Sequence, residues 1–276
     1  CSPNLILSLK GEKLPRKSKK TREVHYESRY VYCIIEGGEK QNFGKIGIDG
    51  TTVYTIPYNN ISAVVSDTPL REYEPSEANA MAHEKVVEHV MQKHTVLPLG
   101  FGNIFINENR VKWLLTRFYR TSRIYLKKLD GKVEMGVKVF YDLETARRDI
   151  ENTNDEIKKL KEAMASARLK QNQFSREKLV TATTRKFAEE VSKKAYEYGV
   201  RIYEALGKVA VDSRLMKRIS DDMIMNGTFL VNKDKMAQFE KTLETLRKEY
   251  EKQGLKFQHS GPWPPYNFAH IQIGNT

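Results

Sequence analysis

KVEMGVKVFY, residues 132–141, decides how the second half of the chain is read. Val133, Met135, Val137, Val139 and Tyr141 alternate with Lys132, Glu134 and Lys138, and Gly131 stands just before them. Side chains two apart share one face of a strand, so this stretch predicts a half-buried strand. The 64 residues that follow, Asp142 to Ala205, hold no proline and one glycine, Gly199. Leu143, Ala146, Ile150, Ile157, Leu160 and Met164 recur at three-four spacing, as do Phe187, Val191, Ala195, Tyr198, Ile202 and Ala205. That pattern predicts two long helices packed side by side, reversing near Gln171–Ser175. Strands are expected at 207–215 and 223–231, a helix at 233–252 closed by Gly254, and a last strand at LKFQHS, 255–260. The order β-α-β-β-α-β is that of a ferredoxin-like, split βαβ module whose first helix has grown into a hairpin.

The first half mixes elements differently. RYVYCIIE (29–36), TTVYTI (51–56) and ISAVVS (61–66) carry strand residues, with PYNN (57–60) as a turn. Pro75-Ser76 opens a helix with Ala80, Val86, Val87, Val90 and Met91 at helical spacing. TVLPLGFGNIFI (95–106) returns to strand character and 109–129 reads as one helix. The chain is therefore α+β with two domains. The expected division is a basic arm at 1–28, an α+β domain at 29–130, a β-α-β-β-α-β domain at 131–259 and a proline- and aromatic-rich tail at 260–276.

Length and composition suit this. With 276 residues the chain can bury two cores. Its 47 Lys and Arg against 35 Asp and Glu give a net charge of +12, which favours anionic partners without specifying them. Part of the excess lies in KGEKLPRKSKKTR (10–22), where Glu12 is the single acid and almost nothing is apolar, so a solvated arm is expected. Only Cys1 and Cys33 occur, so no disulfide framework is expected and a reducing compartment is the default. No apolar run approaches a membrane span. A cytoplasmic protein is expected.

Catalytic and cofactor motifs miss their spacing. His83 and His89 are six apart, placing the rings about 120° apart on a helix, where a zinc helix needs four. They read as two histidines on a surface helix. Five residues separate Gly38 from Gly44, and Ile46 follows Lys45, so no phosphate loop forms. Cys33 has no nearby base. LGFGNIFI (99–106) echoes an RNA-binding strand signature, but Leu99 and Asn103 replace its basic and aromatic residues. No enzyme, metal, cofactor or small-molecule substrate is expected; a basic RNA-binding module is the alternative reading.

SGPWPPYNFA (260–269) sets three prolines among Trp263, Tyr266 and Phe268. Proline excludes a helix interior or central strand there. Such a segment either plugs the core or presents rings to a partner. Trp263 is read as the plug, with Tyr266 and Phe268 sharing a second buried face.

Together, YVYCIIEG (30–37), TVLPLGFGNIF (95–105) and SGPWPPYNFA resemble the gas vesicle GvpF/GvpL family in motif, order and spacing over residues 29–272. The matching positions are Leu97, Pro98, Phe101, Gly102 and Phe105, then Gly261, Pro262, Trp263, Pro264, Pro265, Tyr266 and Phe268. Gly100 departs from the pattern, which has a larger, often basic residue there. The resemblance implies a non-enzymatic accessory protein, a minor component of gas vesicles. Its implied partners are the small hydrophobic shell protein and other vesicle accessory proteins, with neither membrane nor nucleic acid. It implies help in nucleating the shell or keeping its subunit from aggregating. The tail is then an anchor, a contact with the shell protein, or both.

Overall fold

A computed structural model describes residues 27–169 and 173–269. Of the expected basic arm, 1–26 lie outside the described residues. The chain divides into two compact units, Cys1–Glu134 with Pro262–Thr276 and Met135–Gly261. Residues 262–269 thus group with the N-terminal unit, where the sequence set 260–276 apart as a tail.

The first unit contains β1 (Ser28–Glu36), β2 (Asn42–Gly44), β3 (Val53–Tyr58), β4 (Ile61–Thr68), α1 (Glu77–Met91), β5 (Val96–Pro98), β6 (Ile104–Phe105), α2 (Glu108–Arg117) and α3 (Tyr119–Leu129). The sheet runs β2-β3-β4-β1-β5, with β6 also on β1. β1 is buried along almost its whole length because α1, α2 and α3 all pack on it. Its apolar residues are therefore continuous rather than alternating. Tyr32 is an extra residue in a bulge between Val31 and Cys33. A bulge changes which parity faces inward. Tyr30 and Tyr32 before it, and Cys33 and Ile35 after it, consequently join one cluster with Val86, Val87 and Val90 of α1.

Two local expectations change. Pro57 lies inside β3, opposite Ser62, and the turn shrinks to Asn59-Asn60. β2 pairs only with Val53 and Tyr54, so β3 is an edge at Pro57 and the missing N–H costs no ladder bond. The single helix expected at 109–129 is broken at Phe118, whose φ and ψ of −106° and 15° leave the helical region.

The second unit follows with β7 (Lys132–Tyr141), on which the chain passes between the units, then α4 (Leu143–Thr153), α5 (Asp155–Leu169), α6 (Gln173–Gly207), β8 (Asp212–Leu215), β9 (Met223–Asn232), α7 (Met236–Tyr250) and β10 (Leu255–Trp263). Its sheet runs β10-β7-β9-β8. The first long helix is two: Asn154 turns extended and its side chain accepts the N–H of Ile157, capping α5. α5 and α6 are antiparallel neighbours, joined by the Lys186–Glu156 ion pair at 2.8 Å and with the Thr183 hydroxyl 3.4 Å from Met164 Sδ. Residues 170–172 of the reversal lie outside those described, and 173–175 are already helical. Gly254 closes the last helical turn at φ +84°, against the side chain of Thr145. β10 continues past Ser260 through Pro262 and Trp263, which an edge strand tolerates.

Candidate functional site

Of the family-motif residues, Phe101, Gly102 and Tyr266 gather around a histidine that the sequence placed on the surface. His83 lies on the same helical face as Val86, Val87 and Val90, and it is buried; His89 is exposed. The Nε2–H of His83 donates to the Leu99 carbonyl at 3.1 Å, which leaves Nδ1 to accept from the Tyr30 hydroxyl at 3.0 Å. Tyr30 Oη in turn accepts the Gly102 N–H at 2.9 Å. The relay Gly102–Tyr30–His83–Leu99 requires a neutral imidazole. Burial supplies it, holding His83 down at about 4, with the bond to Leu99 opposing weakly.

That relay fixes the loop between β5 and β6. Leu99 also donates its N–H to the Tyr32 carbonyl, and the Val31 N–H donates to the Asn103 carbonyl. Gly102 has φ +89°, where a side chain is strained, whereas a Cβ on Gly100 would meet nothing within 4 Å. The larger residue expected at position 100 would fit. Leu97 and Phe105 are buried in the two short strands, Pro98 ends the first, and Phe101 packs 6.1 Å from the His83 ring and 6.2 Å from Tyr30. Phe105 and Phe101 are thus committed to the protein's own packing, which removes the stacking faces an RNA-binding strand needs.

The terminal segment reaches the same cluster. Gly261 turns at φ +112°, Pro264 and Pro265 are buried, and Tyr266–Phe268 form a 3₁₀ turn. The Tyr266 ring lies 6.3 Å from His83, and Phe268 is fully buried. The buried Tyr266 hydroxyl has no hydrogen-bond partner among the described residues, and burial raises it well above its ordinary value. Asn267 points to Glu134, which accepts its backbone N–H at 2.9 Å and its side-chain amide through the second oxygen. Trp263 overturns its expected role as the plug: at 39% exposure it stands outside with Pro262, and Phe268 fills the core instead. Because the backbone coils at 266–268, Tyr266 and Phe268 do not share an extended face.

Nothing here is poised for nucleophilic chemistry. Complete burial pushes the Cys33 thiol up, suppressing the thiolate. Among the described residues no cluster of three His, Cys, Asp or Glu side chains could hold a metal. No described helix is long and apolar enough to cross a membrane.

A second feature lies in the other unit. Among the described residues β8 is an edge strand, paired with β9. Along it and just past it, Leu215 and Ile219 are 62% and 71% exposed, with Val211 and Met216 exposed beside them. Unpaired strand edges with exposed apolar side chains are what monomeric proteins generally avoid.

Residues 28–270 match the family model described as gas vesicle synthesis protein GvpL/GvpF. Gas vesicle protein F of Haloferax mediterranei is 26% identical over 255 residues, covering 90% of this chain and 96% of that one. Gas vesicle protein F of a Streptomyces species is 30% identical over 245 residues, covering 88% and 99%. The crystal structure of GvpF from Anabaena sp. PCC7120 superposes with a TM-score of 0.75 at 22% identity, covering 89% of this chain and 99% of that one.

Proposed function

The chain belongs to the GvpL/GvpF gas vesicle synthesis family, and from that premise we propose that it is a non-enzymatic accessory protein of the vesicle that binds the small hydrophobic shell protein during assembly. The observation that carries this reading is the position of β8 at the edge of its sheet, with Leu215 exposed on it and Val211, Met216 and Ile219 exposed on either side. A shell subunit must hold apolar β-structure before it is built into a wall, and such structure aggregates. A strand added to β8 would satisfy the backbone on both sides, while the four apolar side chains cover the subunit's own. The second unit then works as a ferredoxin-like module; its strand order β10-β7-β9-β8, with β8 at an edge, supports that assignment. The chain resides at the gas vesicle as a minor component, with other vesicle accessory proteins as further partners. The His83 cluster plays a separate, structural part, tying the loop at 99–103 and the terminal segment into a rigid first unit.

The test is capture of purified shell protein by the full chain and by the pair Leu215→Lys with Ile219→Asp. Capture by the wild type that persists in high salt, and is lost in the pair with an unchanged melt, is the expected result. Equal capture by both proteins would remove β8 as the docking edge.

A further inference from the structure

The helices α2 and α3 carry charge unlike any other described helices of the molecule. From Asn109 to Leu129 there is no Asp or Glu, yet the stretch holds Arg110, Lys112, Arg117, Arg120, Arg123, Lys127 and Lys128. On other helices several cations are matched: Arg147 and Lys161 pair with Glu151, Lys186 with Glu156, Lys194 with Asp149 and Arg247 with Glu244. Lys112 pairs with Glu108 at the start of α2. Arg117, Arg120, Arg123 and Lys127 form no ion pair among the described residues, and all four are exposed. Arg120, Arg123 and Lys127 recur at three- to four-residue spacing on one side of α3, opposite buried Leu126 and Leu129, and Arg117 ends α2 just before the break at Phe118.

The same side is partly apolar. Ile124 of α3 is 69% exposed between Arg120 and Lys127, and Trp113 of α2 is exposed as well. From Arg120 to Lys127, within α3, is about two turns, roughly 10 Å. We infer that this face docks an acidic amphipathic helix of a protein partner, one with carboxylates at three- to four-residue spacing and an apolar side chain set over Ile124. Three of the four free cations are arginines, whose planar forks match carboxylates two bonds at a time. A polyphosphate chain would satisfy the cations but leave Ile124 uncovered. The Arg110 guanidinium covers one face of the Trp113 ring at 5.7 Å. Charge complementarity therefore selects an anion, and the exposed Ile124, which a base or phosphate would leave uncovered, selects a peptide over a nucleic acid.

The experiment measures binding of three labelled probes to the full chain: a 16-residue amphipathic peptide of Glu and Leu, the same composition scrambled, and a 16-nucleotide polyuridine. The amphipathic peptide is expected to bind best, with affinity falling as salt rises. Arg120→Glu with Arg123→Glu is expected to weaken it at least about tenfold, and Ile124→Ser about threefold, with unchanged melts. Leu215→Lys with Ile219→Asp leaves this binding intact, which separates it from the shell-protein reading. No binding, equal binding of the scrambled peptide, tighter binding of polyuridine, or an unchanged affinity in the charge-reversed protein would each overturn the inference.

Discussion

Asn267 is held by both oxygens of Glu134, a residue 133 positions earlier, through its backbone N–H and its side-chain amide. Glu134 is only 5% exposed, so these bonds form away from water and count for more than surface ones. Glu134→Gln replaces one acceptor oxygen by an amide that faces a donor. We expect a loss of about 1–3 kcal/mol and faster hydrogen exchange over 264–269. Exchange unchanged in that segment would mean the carboxylate does not hold the turn.

Phe268 and Trp263 separate the two roles of the terminal segment. Phe268→Ala should cost about 3–5 kcal/mol, as truncation of a buried ring does. Trp263→Ala should cost less than about 1.5 kcal/mol, because the ring is partly in water. Chemical denaturation ranks them; the reverse order would restore Trp263 as the plug.

What the sequence showed and hid follows from the kind of signal each residue carries. KVEMGVKVFY was legible because period-two alternation has a single structural meaning, and the order of elements after it matched the observed one. The helix breaks at Phe118 and Asn154 were hidden, since neither involves proline or glycine and apolar spacing continues through both. The spacing of His83 to His89 speaks only against a metal site and carries no information on burial. The face His83 shares with Val86, Val87 and Val90 was the available signal of a buried ring. Trp263 was misplaced because ring size says nothing about which way an edge strand turns it. The exposure of Val211, Leu215, Met216 and Ile219 was not readable at all: without a period, surface and core apolar residues look alike.

The two glycines of the 99–103 loop should behave oppositely. Gly102→Ala forces a side chain into φ +89° and should cost about 1–3 kcal/mol. Gly100→Arg enters open space and should change stability by less than about 0.5 kcal/mol. Thermal melts of the two variants check this, and a costly Gly100→Arg would contradict the open geometry.

His83 gives the first unit a defined acid sensitivity. Its imidazole takes up a proton near 6.5 when unfolded but only at about 4 when folded. Between those values the unfolded chain binds more protons, so stability is full above pH 6.5 and falls as pH drops to 4, by about 3 kcal/mol. His94 is shifted in the same direction by burial and Lys93, so the comparison is made in a His94→Asn background. There, His83→Phe should flatten stability between pH 6.5 and 4; a slope that survives would place its origin elsewhere.

Whether the β8 edge shields an aggregation-prone shell subunit is read out by light scattering of shell protein diluted from denaturant. An equimolar amount of the full chain should hold scattering near baseline. The chain carrying Leu215→Lys and Ile219→Asp, with an unchanged melt, should let it rise as in buffer alone. Suppression by that variant equal to the wild type would mean that the β8 edge is not the shield.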